Sequence, residues 1–236
     1  VEGAMKLANR YTGRTELIAC KNSYHGSTQG ALSLMGNEEF KQAYRPLLPD
    51  IKFISYHHLP DLEKITTQTA GVFIETIQGE AGIRVADEKY LKALREKCTK
   101  TGTLLILDEI QCGFGRNGKL FGFEHFGIVP DILLLAKGIG GGMPIGAFIS
   151  SSQIMSVFTD NPILGHITTF GGHPVSCAAG LATLNTIVAE NMVAEVEEKG
   201  ELFKKLLKHP AIKEVRGKGL MLAAEFESYD ILKKII

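Results

Sequence analysis

The chain has 236 residues, of which 44% are hydrophobic, and this is enough to bury the core of one large domain. Lys and Arg together number 26, as do Asp and Glu, so the balanced charge argues against nucleic acid or an anionic membrane surface as a partner. We expect neither a membrane span nor a secretory signal, because no apolar run approaches the roughly 18–20 residues that a span requires.

The cysteines favour a reducing, cytoplasmic location. They are scattered, with neither the paired spacing of a zinc site nor the density of a disulfide framework. The four are Cys20, Cys98, Cys112 and Cys177.

In the first part of the chain, short apolar runs alternate with helical patterns. A helix is predicted at the start, with five apolar residues on one face: Val1, Ala4, Met5, Ala8 and Tyr11. Strands are then predicted over residues 15–20, 51–55 and 71–76, and short helices over residues 28–35, 38–44 and 59–65. The third strand carries a carboxylate, Glu75, near its end.

The second part continues the same alternation, which is typical of a largely parallel α/β sheet. Residues 87–101 form the best-marked helix, with Asp87 as its N-cap and Gly102 as its stop. Three strands are predicted over residues 103–108, 131–137 and 144–150, followed by helices over residues 174–189 and 192–207. Residues 216–225 are predicted to turn from a glycine-rich loop into a strand.

The composition changes near Ala189, where an apolar helix gives way to a charged one. We therefore predict a large domain over residues 1–189 and the beginning of a smaller one over residues 190–236. The first helix has no N-cap and the last helical stretch has no C-cap, so we expect the chain to be the middle of a longer protein.

Two of the predicted strands end on an ionisable residue, Asp108 in TLLILDEIQ and Lys137 in DILLLAKGIGGG. Ligands of open α/β sheets sit just outside the carboxyl ends of the strands. Taken singly, such residues are more often solvated strand ends or helix caps. Together they suit a cofactor with a cationic ring nitrogen and an aldehyde carbon, which is pyridoxal 5′-phosphate (PLP). Asp108 would hold the ring proton and Lys137 would form a Schiff base.

Five motifs, in order along essentially the whole chain, resemble the class III PLP-dependent aminotransferases. They are YHGST, ETIQGEAGI, LLILDEIQCGFGR, LLLAKGIGGGMPIGA and HITTFGGHPVSCAAG. The resemblance implies the large domain of fold type I and a homodimer with shared active sites. It also implies transfer of an amino group from an amino acid or ω-amine to a 2-oxo acid such as 2-oxoglutarate, through a Schiff base on Lys137.

The resemblance also suggests which other residues contact the cofactor. Tyr24 matches an aromatic position that stacks on the PLP ring, and Gln111 matches one that reaches the phenolic oxygen of the ring. His25 is a further candidate, for which simple packing is the competing interpretation. Thr169 matches a threonine whose hydroxyl reaches the phosphate of the neighbouring subunit's PLP; an ordinary loop threonine is the alternative.

Three residues are candidates on the substrate side: Glu80, Ser27 and Thr168. Glu80 matches a position that pairs with an arginine from a later part of the family's chain. Ser27 is a departure, because many relatives have an arginine there that can clamp a carboxylate with two hydrogen bonds. We therefore expect the substrate carboxylate to be bound elsewhere, or the amino donor to differ from the usual ones.

Two other functions compete with transamination, and a third possibility is that this piece of the protein is by itself an inactive folded domain. Decarboxylation or aminomutation on the same scaffold would use Lys137 and Asp108 in the same way. A nucleotide-binding module would use GIGGG as a phosphate loop, but this segment lacks the lysine and hydroxyl ending of a Walker loop and the spacing of a dinucleotide fingerprint.

Overall fold

The fold is described by a computed structural model that covers residues 1–235. Its helices are α1 (Glu2–Thr12), α2 (Gln29–Ser33), α3 (Glu88–Thr101), α4 (Ser152–Met155), α5 (Pro174–Ala189), α6 (Val196–Leu206) and α7 (Tyr229–Lys233). Its strands are β1 (Glu16–Cys20), β2 (Ile51–Ile54), β3 (Thr69–Glu75), β4 (Ile77–Gln78), β5 (Arg84–Val85), β6 (Leu104–Asp108), β7 (Ile132–Leu135), β8 (Ala147–Ser150), β9 (Ile212–Lys218) and β10 (Met221–Phe226).

A six-stranded sheet in the order β2-β1-β3-β6-β7-β8 forms the centre of the molecule. The first five strands are parallel, and β8 runs antiparallel to β7 at the edge. Every residue of β3 and β6 is buried, which is typical of strands covered by helices on both faces. The predicted mixed, mostly parallel α/β sheet is confirmed.

Alternate side chains of the central strands pack on opposite faces of the sheet, as the two-residue period of a strand requires. Phe73 and Ile106 pack with Leu7 and its neighbours on α1. The alternate residues of the same strands face the other way and pack in a cluster with Tyr90, Leu91 and Leu94 of α3. They are Val72, Ile74, Leu105 and Leu107. The two helices therefore cover the sheet and leave the ends of its strands open to loops.

The sequence signals for α3 are confirmed in detail. The carboxylate of Asp87 accepts a hydrogen bond from the amide of Tyr90 at 2.9 Å, as an N-cap does. Gly102 ends the helix in the left-handed conformation (φ 64°), which glycine adopts without a steric penalty.

Several predicted elements differ from the structure. The strand predicted to end on Lys137 is too long, because β7 ends at Leu135 and Lys137 begins a 3₁₀ turn, and the strand predicted over residues 144–150 begins only at Ala147. Within residues 38–44 only Gln42–Tyr44 is helical, as a single 3₁₀ turn, and residues 192–207 divide into a 3₁₀ turn at Met192–Glu195 and α6. The predicted loop at the start of residues 216–225 is wrong, because Arg216 and Gly217 lie inside β9. β9 pairs antiparallel with β10, and its half-exposed, charged residues give no apolar alternation that would indicate a strand.

The hairpin of β9 and β10 packs beside the loop that follows β6. The amide of Leu220 donates to the carbonyl of Arg116 at 3.0 Å, and Met221 packs with Ile77 and Cys112. The predicted domain boundary at Ala189 stays a prediction. Ile236, the last residue of the predicted smaller domain, lies outside the described residues.

Within residues 1–235, no single helix is both long and apolar enough to cross a membrane. The pair formed by Pro174–Ala189 and Met192–Leu206, bent by 61° at its break, meets the length and composition criteria only when the two are taken together.

Gly36 is fixed by the close approach of the chain that follows β1. A Cβ atom there would lie closer than 3.0 Å to the backbone of Asn22 and Cys20, and its amide donates to the carbonyl of Ser23 at 3.2 Å. Gly146 serves as a control position for Gly36, because it has space for a methyl group. The atom nearest to a Cβ there would be 3.7 Å away.

We predict that Gly36→Ala lowers the free energy of unfolding by about 2 kcal/mol, because backbone atoms cannot move aside as a side chain can. Gly146→Ala should change it by less than about 0.5 kcal/mol. Urea denaturation of both variants measures the difference. Equal stabilities of the two variants would contradict the close approach at Gly36.

Candidate active site

A cavity of about 230 Å³ lies at the carboxyl ends of β3, β6 and β7 and beside the loop that follows β1. Strand ends on one edge of a parallel sheet bring residues that are distant in sequence close together. The residues that line the cavity are Tyr24, His25, Gly26, Glu75, Asp108, Ile110, Gln111, Cys112, Ala136 and Lys137.

Asp108 is the last residue of β6, and its carboxylate is buried (4% exposed). One oxygen, Oδ1, accepts a hydrogen bond from the amide of Ile110 at 3.1 Å. The other, Oδ2, lies 2.8 Å from Nδ1 of His25. Since a carboxylate only accepts hydrogen bonds, we place a proton on Nδ1 of His25. The strand end and two donors thus fix the carboxylate beside the cavity.

His25 and Asp108 form a buried hydrogen-bonded pair. Burial alone would lower the pKa of His25, but the hydrogen bond and charge of Asp108, together with the charge of Glu75, outweigh burial and raise it. The imidazole packs edge-on against Phe73, with ring centroids 6.1 Å apart. Its Nε2 is buried and has no hydrogen-bond partner among residues 1–235.

Glu75 ends β3 directly opposite Asp108, because the two residues are register partners in the parallel pair of strands. Its Oε1 accepts from the amide of Gly79 at 3.0 Å and its Oε2 accepts from the amide of Tyr24 at 3.3 Å. Burial raises the pKa of Glu75 to about 7, although the charge of His25 and the two amides oppose that shift.

Lys137 follows β7 after one residue and begins a 3₁₀ turn, Lys137–Gly140. Its backbone is left-handed (φ 49°), a conformation uncommon for residues other than glycine and often found at functional sites. The side chain is exposed and lines the cavity. An amine on a constrained backbone therefore faces the same space as the buried carboxylate of Asp108.

The end of the Gln111 side chain lies over Gly79, in the turn that follows β4. A Cβ atom at Gly79 would lie closer than 3.0 Å to Oε1 of Gln111, so a side chain there would displace the end of this exposed glutamine. The amide of Gly79 is the same one that Glu75 accepts, so Gln111 rests on backbone held by that carboxylate.

Glu109 points away from the cavity, as expected for the residue after Asp108. Its carboxylate accepts hydrogen bonds from the amides of Gly122 and Phe123 at 2.8 and 2.9 Å and from the hydroxyl of Thr76 at 3.0 Å. It is fully buried, and burial raises its pKa to about 7. Glu109 therefore anchors the loop behind the cavity.

The structure brings five of the predicted site residues to the one cavity: Tyr24, His25, Asp108, Gln111 and Lys137. Glu80 lines an adjacent cavity of about 360 Å³, which Tyr24 also lines. Thr168 and Thr169 line a third cavity of about 700 Å³, and Ser27 is exposed and lines none of these three. The roles of all nine residues stay predictions.

Sequence reasoning missed the contacts of Glu75 and the pairing of His25 with Asp108. The sequence identifies Glu75 as a carboxylate near the end of an apolar strand, and in the structure it ends β3 just as Asp108 ends the neighbouring strand β6. That shared position was the available signal. The partner of His25 lies 83 residues away, and no local pattern identifies it.

Comparison with known proteins identifies the family of the chain. The chain matches the family described as aminotransferase class-III over residues 1–236. It is 43% identical over 241 residues to the acetylornithine aminotransferase of Caldanaerobacter subterraneus subsp. tengcongensis, covering 97% of this chain and 60% of that protein. It is 41% identical over 230 residues to the LysW-aminoadipate semialdehyde/glutamate semialdehyde transaminase of Sulfurisphaera tokodaii, covering 95% and 59%.

A solved structure of the ornithine aminotransferase from Toxoplasma gondii superposes with a TM-score of 0.89 at 34% identity. The match covers 96% of this chain and 57% of that one, and in that protein PLP partially occupies the active site. The fold and the strand-end site define an α/β protein of fold type I. The chain belongs to the class-III aminotransferase family and spans about 60% of the length of the curated relatives named above.

The buried carboxylate of Glu109 makes a prediction about pH. In the folded protein the carboxyl group of Glu109 keeps its proton up to about pH 7, whereas in the unfolded chain it loses the proton near pH 4.5. The free energy of unfolding therefore falls as pH rises between those values. The shift corresponds to about 3 kcal/mol.

We expect Glu109→Gln to lose about 3 kcal/mol less stability than the unsubstituted protein between pH 4.5 and 7.5, because glutamine does not titrate. Urea denaturation across this range measures the slope. Glu96→Gln, at an exposed position on α3, is the control and should follow the unsubstituted protein. The same slope in all three proteins would contradict the buried charge at Glu109.

Proposed function

We propose that the whole protein is a PLP-dependent aminotransferase. One observation carries the proposal: a buried carboxylate, Asp108, and a primary amine, Lys137, line a single cavity at the carboxyl ends of neighbouring strands. Family membership supports it, as do the relatives whose names describe aminotransferases.

The residues of the cavity fit the ring of PLP. A protonated pyridine nitrogen needs a carboxylate, and Asp108 offers one at the cavity wall while its own position is held by His25 and the amide of Ile110. The carbonyl carbon needs an amine, which Lys137 supplies. Tyr24 offers an aromatic face, and Gln111 an amide that can donate to the ring oxygen.

Bound PLP would supply an electron sink that makes the α-proton of an amino substrate acidic. Asp108 would keep a proton on the ring nitrogen, and the hydrogen bond from His25 holds this carboxylate in place. Lys137 would hold the cofactor through Nζ, and its amine, when free, would accept and return the substrate proton. Tyr24 would limit the movement of the ring by stacking.

The amino donor is an amino acid or ω-amine, and the acceptor is a 2-oxo acid such as 2-oxoglutarate. Acetylornithine is the first donor to test, because a 43% identical relative is named for it. Glu80 and Thr168 are proposed on the substrate side, whereas the exposed hydroxyl of Ser27 cannot clamp a carboxylate as arginine does. We place the protein in the cytoplasm, in keeping with four free cysteine thiols.

Covalent labelling tests the assignment of Lys137. After incubation of the whole protein with PLP, borohydride reduction should fix one cofactor per chain, and peptide mapping should place it on Lys137 because this amine lines the cavity of Asp108. Lys137→Ala should retain no label, while Lys199→Ala, on the exposed face of α6, should be labelled as in the unsubstituted protein. A label on another lysine would reject the assignment.

Product analysis separates transamination from other reactions of the same scaffold. With acetylornithine or another amino donor and 2-oxoglutarate, we expect glutamate to form in amounts equal to the donor consumed. Release of carbon dioxide without glutamate would instead indicate a decarboxylase.

A homodimer is part of the proposal, and an uncovered apolar surface supports it. Helix α5 is rich in apolar residues all round, yet Ser176 and Gly180 are the buried residues among its sixteen. Leu181 on this helix is 61% exposed, and Phe170 in the preceding loop is 77% exposed. Apolar surface of this extent is typical of a contact between chains. Thr169, in the same loop, would then reach the phosphate bound by the second copy.

We predict that Leu181→Asp converts the dimer to monomers, because a carboxylate placed in an apolar contact loses its hydration. Sedimentation velocity measures the change. Leu206→Asp, at an exposed apolar position on α6 (70% exposed), is the matched control and should remain dimeric. A monomeric unsubstituted protein, or equal loss of the dimer in both variants, would refute this contact surface.

A further inference from the structure

We propose that Glu75 is a positioning residue, whose carboxylate fixes the loop of Tyr24 and the turn of Gly79 on two sides of the cavity. The inference rests on the proposed function for its consequence, the binding of PLP, but its geometry concerns this chain alone. From the sequence, a structural role is the favoured interpretation of Glu75, with a catalytic role as the alternative.

The first step is the position of the side chain. Glu75 is the last residue of β3 and is 6% exposed, so its carboxylate reaches the cavity from a strand buried along its whole length. A strand in the middle of a six-stranded sheet is among the most rigid parts of such a fold. Loops that are hydrogen-bonded to the end of that strand are therefore held in a fixed position.

The second step is the use of both carboxylate oxygens. Oε2 accepts a hydrogen bond from the amide of Tyr24, in the loop after β1. Oε1 accepts one from the amide of Gly79, in the turn after β4. The two segments are more than fifty residues apart in the chain, and a single side chain links them. An amide in place of the carboxylate would keep one acceptor and turn an N–H group toward a backbone N–H.

The third step connects the link to the residues that face the cofactor. Tyr24 carries the aromatic ring proposed to stack on PLP, and the amide that Glu75 accepts belongs to this same residue. The end of the Gln111 side chain lies against Gly79, whose amide Glu75 also holds. Glu75 thereby holds the backbone of Tyr24 and the backbone beneath Gln111 without contacting the cofactor itself.

The fourth step is the electrostatic setting. Glu75 and Asp108 are register partners, so two carboxylates end neighbouring strands side by side. His25 is hydrogen-bonded to Asp108, and the charge of Glu75 contributes to the raised pKa of this imidazole. Both hydrogen-bond partners of Glu75 are backbone amides of this chain, so the link does not depend on a bound ligand.

Amide hydrogen exchange of the whole protein without PLP tests the link directly. In Glu75→Gln we expect exchange to become at least about tenfold faster in one of the two peptides, residues 22–26 or residues 77–81, because glutamine keeps one acceptor and turns its N–H toward the other backbone N–H. Glu109→Gln is the matched control, because Glu109 is equally buried and also accepts two backbone amides, those of Gly122 and Phe123. Its exchange should become faster at residues 120–124 instead.

PLP affinity tests the consequence. The dissociation constant of PLP, followed by fluorescence, should rise about tenfold in Glu75→Gln and stay within about twofold in Glu109→Gln, although both variants lose stability. Equal weakening in the two variants, or unchanged exchange at residues 22–26 and 77–81, would overturn the proposal.

Glu75→Asp keeps the charge but shortens the side chain by one methylene group, so it cannot reach both amides. We expect faster exchange in at least one of the two segments, and this variant also serves if Glu75→Gln does not fold. Exchange and PLP affinity equal to those of the unsubstituted protein would show that charge alone matters and would overturn the proposal. If that protein itself binds no PLP while the exchange pattern holds, the proposed function fails and the link remains.

Discussion

The hydrogen-bonded pair of Asp108 and His25 is the constraint on which the candidate site depends. A carboxylate removed from water costs several kcal/mol unless its hydrogen bonds are replaced. Asp108 recovers them from the amide of Ile110 and from His25, 83 residues earlier in the chain. Removing one partner of such a buried pair typically costs 3–5 kcal/mol. The pair therefore joins the loop after β1 to the end of β6 and fixes the wall of the cavity.

Two further buried carboxylates make the same kind of link in different directions. Glu75 joins the loop of Tyr24 to the turn of Gly79, and Glu109 holds the amides of Gly122 and Phe123. Each accepts hydrogen bonds from backbone amides that have no partner within a strand or helix. Buried loops need such partners, because an unpaired buried N–H group costs free energy. The irregular segments around the cavity are thus ordered by carboxylates placed at or just beyond the ends of strands, rather than by packing alone.

The sequence predicts the sheet well because its central strands are short apolar runs and α3 carries its own cap and stop. It also predicts that Asp108 and Lys137 meet, since strand ends of a parallel sheet share one edge. It cannot predict the pairing of His25, which depends on how the loop after β1 folds back over β6. The strand β9 is missed for a related reason, because a half-exposed hairpin away from the main core carries no apolar alternation.

The two proposed functional groups differ in burial, and the difference suits their proposed roles. Asp108 is buried, ends a strand and is held through both oxygens, so its position is fixed. Lys137 is exposed and lies on a 3₁₀ turn with left-handed backbone before a run of glycines, so its side chain is not held by packing. A group that orients a ring needs the first property. A group that binds a cofactor, releases it and then carries a proton needs the second, and exchanging the two positions in the fold would leave neither function possible.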